Sequence, residues 1–244
     1  MDERTYTLIE HLDELRSRII KCAICIAIFF PFCYYISMPS IIWVKRTFCP
    51  ELKELVYLQP LELFFTQLKV SFYMSLILGV PCIAYHIWKF SSPALFHNEK
   101  KYIKRFVFIS TALFIIGASF ALFLVYPALI RFSISMGSSD IVPMLNIQSV
   151  INLAAMLMLG FGIVFQLPVI VFLLAKTGLV KTETMSKGRP YIIVAIFLVA
   201  AVLTPGPDVL SQLAMAIPSL ILFEISLFLA KLSERKRKKL EENN

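Results

Sequence analysis

Few side chains in this chain can do chemistry, and most of those that can are carboxylates or amides. Glu14 lies in the stretch EHLDELRSR, residues 10–18, directly before a long apolar run. On a helix, His11, Glu14 and Arg18 fall at spacings of three and four and share a face, while Leu8, Leu12, Leu15 and Ile19 line another face suited to a membrane interface or a helix bundle. An exposed Glu14–Arg18 pair is worth only a few tenths of a kcal/mol. Glu99 follows SSPALFHN and stands beside lysines. Gln166 and Glu224 interrupt apolar runs, where a polar group costs a few kcal/mol unless it is paired or wet. Gln166 suits either an interhelical hydrogen bond or a polar docking spot for a partner helix. Glu224 precedes Lys231 by seven residues, about 10 Å of helix, and is expected to reach the interface by snorkelling. Lys69 and Asp208 flank apolar runs and are expected to face water.

Catalysis has no footing in this set. His11, His86 and His97 are scattered without metal-ligand spacing, no glycine-rich phosphate loop is present, and no serine sits in a nucleophile elbow. Cys22 and Cys25 form a C-x-x-C inside an apolar run and read as small hydrophobes; Cys33, Cys49 and Cys82 make no paired framework. A protein with no catalytic residue, metal or cofactor is the expectation.

The elements that must hold these groups are membrane helices. The chain has 244 residues, 58% of them hydrophobic and 16% charged, against roughly a quarter charged in soluble domains. Runs such as CAICIAIFFPFCYYI are apolar on every side, which suits lipid or a neighbouring span. Apolar segments fall at 19–38, 70–90, 106–126, 150–174, 191–203 and 210–230, predicting six transmembrane helices. Nineteen of the 24 lysines and arginines then lie on the side of the termini; Lys45, Arg46, Lys53, Lys69 and Arg131 lie on the other. The positive-inside rule places the N and C termini in the cytoplasm of a multi-pass cell membrane protein, and no cleavable signal peptide is expected.

Residues 1–233 are expected to form a single membrane domain, followed by a basic, disordered tail over 234–244 that rests near lipid headgroups and binds no nucleic acid. The fifth segment spans about 20 Å against a hydrocarbon core of about 30 Å, and the TPGPD link is brief. The reading is therefore an all-α integral membrane protein, a curved bundle with short fifth and sixth helices. Pro31, Pro81, Pro168 and Pro218 each free a carbonyl that a neighbour must satisfy.

HLDELRSR before the first span, WKFSSPALFHNEKK in the first internal loop, FGIVFQLPV in the fourth span, KGRPY opening the fifth and TPGPDVLSQLAMAIPSLILFEIS through the sixth resemble the TatC family, the multispanning subunit of the twin-arginine protein translocase. The resemblance covers nearly the whole chain, in order. It implies a receptor that binds twin-arginine signal peptides, associates in a larger complex, and recruits single-span TatA/TatB-type subunits to export folded proteins with the proton gradient. It further implies signal-peptide contacts at Glu14, Arg16, Phe90, Pro93, Leu95 and Glu99, and intramembrane polar positions at Gln166, Asp208, Gln212 and Glu224. Two carboxylates can each accept a guanidinium fork, which explains a demand for arginine over lysine. Many family members have glutamate where this chain has Gln166, and a neutral amide carries neither a charge nor a proton. A transporter using Glu224 and Gln166 is the rival reading; it predicts solute flux from this chain alone.

Overall fold

Apolar runs of this length satisfy their backbone within lipid by folding as helices. The computed structural model describes residues 8–48, 50, 56–95, 100–135, 146–176, 182–203 and 209–242. Nine α-helices lie among these residues. They are α1 (Leu8–Phe48), α2 (Glu62–Leu95), α3 (Lys100–Phe120), α4 (Tyr126–Ser135), α5 (Ile147–Val164), α6 (Leu167–Lys176), α7 (Thr182–Lys187), α8 (Arg189–Leu203) and α9 (Val209–Glu242). No strand occurs among the described residues; one bridge pairs Val56 with Asn146. The chain adopts the expected all-α membrane fold.

Five stretches are long and apolar enough to cross a membrane, at Leu12–Phe48, Glu62–Phe90, Ile103–Ser135, Ile147–Leu174 and Gln212–Leu232. The apolar part of α8 is shorter, Arg189–Ala201. The sixth expected span thus departs from its expected shortness: its membrane-crossing stretch is 21 residues long, so shortness belongs to the fifth alone. The backbone of α9 also continues through the basic tail to Glu242, where disorder was expected from residue 234. The tail consists largely of strong helix formers, with Glu234 and Lys238 at a favourable spacing of four, and it extends a helix already nucleated in the apolar run.

Prolines act unequally. Helices α1 and α9 run through Pro31, Pro39 and Pro218. At Pro168 the fourth span breaks: the Gln166 amide bonds the Ile163 carbonyl three residues back, and the Gln166 carbonyl then starts α6 by accepting from Val169 and Ile170. Between α3 and α4 the chain widens into a π-helical turn, Ala121–Val125, where the Tyr126 amide bonds the Ala121 carbonyl five residues back. Pro127 follows at once and lacks the amide that would continue the α-helical ladder.

The core sits between α4, α5, α6, α8 and α9, around Tyr126, Leu157, Phe161, Met215 and Leu227. Half of the apolar window of α5 is buried, against 6% for α1, so α5 is central and α1 peripheral. Helices α3 and α5 touch through glycines. A Cβ on Gly117 would lie 2.7 Å from the Phe161 carbonyl and 2.6 Å from the Phe165 ring; a Cβ on Gly162 would lie 2.5 Å from the Phe114 ring. Such small residues let membrane helices approach closely where lipid gives no hydrophobic drive to associate. Buried Ser71, Ser75 and Ser219 donate to carbonyls of their own helices, at Gln67, Phe72 and Met215.

At the end of the bundle away from the N-terminus, Glu62 opens α2 and is buried, and its carboxylate holds the turn that leads into the helix. Its Oε2 accepts from the amides of Leu58 (2.7 Å) and Gln59 (3.2 Å). Asn146 caps α5 by accepting from Gln148 at 2.7 Å, and the Ile147 amide donates to the Val56 carbonyl.

Candidate functional site

Helix α1 carries Asp13, which is exposed, and Glu14, which is half-buried. Leu12, Leu15 and Ile19 are exposed on the same helix, an apolar stripe beside a charged face. The Glu14 carboxylate holds the Arg18 guanidinium through one oxygen: Oε1 accepts from Nε at 3.0 Å and also from Nη2. Described residues make no hydrogen bond to Oε2. The side chain of Glu14 is 28% exposed and that of Arg18 12%, so the acid is the more accessible partner. Arg16 is exposed.

The far end of α2 runs beside the N-terminal part of α1. Ile26 lies beside Gly79, and nearer the N-terminus Arg18 and Lys21 act electrostatically on His86, as does Lys89. One turn further along this antiparallel pair brings Phe90, which is half-buried, to the level of Glu14. Lys89 Nζ lies 5.7 Å from the centre of the Tyr85 ring. Pro93 and Leu95 belong to the last turn of α2. Glu99 lies outside the described residues. Glu14 thus sits among the cations Arg16, Arg18, Lys21 and Lys89, with Asp13 as the neighbouring exposed acid.

Gln166 is placed differently. Its Nε2 donates to the Ser110 carbonyl of α3 at 3.0 Å and to the Gly162 carbonyl at 3.4 Å. The Ser110 hydroxyl oxygen in turn accepts from Trp88 Nε1 at 2.8 Å, and Trp88 stacks on Phe106 with centroids 5.0 Å apart. One amide at the Pro168 break thereby links the fourth span to α3, which Trp88 joins to α2. Gln166 thus forms the interhelical hydrogen bond that was one of its two expected roles.

The other polar groups also tie helices in pairs. Gln212 Nε2 donates to the Phe197 carbonyl at 3.0 Å, joining α9 to α8. Glu224 accepts from Arg189 Nη2 at 2.9 Å, both side chains being about half exposed. Lys231 donates to Ser186 at 3.2 Å. Glu224 therefore finds a partner on α8 beyond the snorkelling expected of it. Asp208 lies outside the described residues. No hydrogen bond joins Gln166 to Glu224, and no cluster of metal-binding side chains occurs, among the described residues.

Sequence reasoning missed Arg189 as the partner of Glu224, and it missed Trp88 and Ser110. Both arginine and acid were visible, but their pairing spans 35 residues and depends on how α8 meets α9. The buried Glu62, which ties the turn before α2, was missed too; its signal was an acid opening an apolar run.

Comparison with known proteins places this geometry. The family described as Sec-independent protein translocase protein (TatC) matches residues 10–218. A protein of Carboxydothermus hydrogenoformans named Sec-independent protein translocase protein TatC is 39% identical over 232 residues, 95% of each chain. The protein of that name from Escherichia coli K12 is 34% identical over 243 residues, 98% of this chain and 94% of its own. A crystal structure of the twin arginine translocase receptor TatC superposes with a TM-score of 0.82 at 35% identity, covering 91% of this chain and 99% of that one. A second crystal structure of that receptor gives a TM-score of 0.83, covering 92% and 100%.

Proposed function

The chain belongs to the TatC family of Sec-independent protein translocase proteins, and on that footing we propose that the paired ends of α1 and α2 form its binding surface for twin-arginine signal peptides. The supporting observation is the Glu14 carboxylate, which already holds a guanidinium, that of Arg18, on an accessible face. That contact is an internal rehearsal of the recognition: one oxygen is occupied and the other is open to an arginine from a peptide. Glu99 supplies the second carboxylate, Arg16 orients the acidic end of the helix, and Phe90, Pro93 and Leu95 receive the apolar side chains around the arginine pair. Arginine is preferred to lysine because a planar fork spans a carboxylate in a fixed geometry, which a compact ammonium does not.

In this reading the chain crosses the cell membrane six times with both termini in the cytoplasm. It forms one membrane domain over 1–233 with a basic tail, acts without catalysis, and self-associates in a larger complex. Single-span subunits of the TatA/TatB type dock near Asp208, Gln212 and Glu224, and export of folded proteins is driven by the proton gradient. With Gln166 bonded to Ser110, the amide serves the bundle and carries no proton. The test is photo-crosslinking of a twin-arginine precursor to membranes carrying the full chain with Glu14→Ala plus Glu99→Ala. Loss of arginine-dependent crosslinks is expected; undiminished crosslinks contradict the site.

A further inference from the structure

Cations at the far end of the bundle call for an explanation that topology does not supply. A bias of lysine and arginine toward the other end already orients such a chain, yet Arg46 and Lys69 are both exposed here. Arg46 stands one turn beyond Trp43 on α1, and Lys69 one turn before Tyr73 on α2. Trp43 and Tyr73 both line one apolar pocket of about 210 Å³, together with Val44, Ile77, Ala155 and Met158. Each wall thus carries an aromatic ring with a cation one turn nearer the membrane surface.

The pocket has the size and chemistry of a hydrocarbon site. Apolar cavities of about 150 Å³ stay dry and take up benzene, and this one is larger. The hydroxyl of Ser40, at its edge, is spent on the Ile36 carbonyl at 2.9 Å. From Val70 to Ile77 the α2 wall runs about 10 Å along the helix axis. A partner helix, about 10 Å across, does not fit such a space; part of one acyl chain does. The π-helical turn forms part of the wall through Leu122, which belongs to a widened backbone rather than a regular one.

We propose that this pocket takes one acyl chain of an anionic phospholipid from the leaflet at that end of the bundle, with the lipid phosphate held by Arg46 and Lys69. The rings of Trp43 and Tyr73 sit at the level where amphipathic aromatics collect, and the long basic side chains reach outward past them to the headgroup. The site lies at the opposite end from Glu14, so its failure and that of the signal-peptide surface are separate results.

The test uses the full chain in phosphatidylcholine nanodiscs containing a minor fraction of phosphatidylglycerol with a photoactivatable group on its acyl chain. Labels are mapped by peptide mass spectrometry. Labelling is expected to concentrate on Tyr73, Ile77 and Met158 over the exposed controls Tyr35 and Ile116. Arg46→Gln and Lys69→Gln are each expected to lower pocket labelling about fivefold while leaving Tyr35 unchanged. Ala155→Leu, which fills the pocket, is expected to abolish it; the two charge variants alter only exposed side chains and keep the test decisive if Ala155→Leu folds poorly. Even labelling of pocket and controls overturns the proposal. So does equal labelling by a phosphatidylcholine probe, or capture of a protein by a photo-crosslinker placed at Ile77 in native membranes.

Discussion

Glu14 and Gln166 carry similar polar atoms and meet opposite fates. Glu14 lies on the peripheral helix and bonds only a neighbour one turn away, through one oxygen, with more than a quarter of its side chain exposed. Gln166 lies at a backbone break and donates to Ser110 on α3 and to Gly162 on its own helix, next to the Trp88 link. Both residues are half-buried, so what separates them is bonding: Glu14 pairs within one turn of its own helix, whereas Gln166 ties two helices together. An i,i+4 ion pair is weak enough for a ligand to displace, whereas an amide facing carbonyls inside a membrane protein has no water to fall back on.

Four substitutions bear on that contrast, beginning with the largest expected effect. Gly117→Leu drives a side chain into the Phe161 carbonyl and Phe165 ring, where backbone cannot yield; a loss of about 3 kcal/mol or more is expected, read as lost folded protein in detergent unfolding. Glu14→Gln removes the charge proposed to draw arginine and is expected to weaken signal-peptide binding by roughly 10- to 100-fold, the range of a charged hydrogen bond, with no shift in melting temperature. Gln166→Leu deletes the bond to Ser110 and is expected to destabilise by about 1 kcal/mol in thermal unfolding while peptide affinity holds. Arg18→Gln frees Glu14 from its internal partner, and a gain in peptide affinity of about twofold at most is expected by titration. If Gln166→Leu weakens peptide binding as much as Glu14→Gln does, the division of labour between the two regions is wrong.

How far each region was legible follows from the range of the interactions. The Glu14–Arg18 pair was readable because it spans one helical turn, and the membrane fold because apolar runs report their surroundings directly. The break at Pro168 was signalled by its missing amide. Gln166 was marked as polar at depth, but its acceptor on α3 depends on the close approach that Gly117 and Gly162 allow, and neither glycine announces that in sequence. Arg189 and Glu224 pair only because α8 meets α9, and hydropathy treats them as two unrelated charges. The continuation of α9 to Glu242 was hidden by a composition that suits a solvated tail and a helix equally.

The central claim, that Glu14 reads arginine, is tested most directly by equilibrium binding of two signal peptides to the full chain, one with paired arginines and one with paired lysines, before and after Glu14→Gln. The account predicts that the unaltered chain prefers the arginine peptide by at least about tenfold and that Glu14→Gln erases most of that preference. An arginine preference that survives Glu14→Gln unchanged would contradict it.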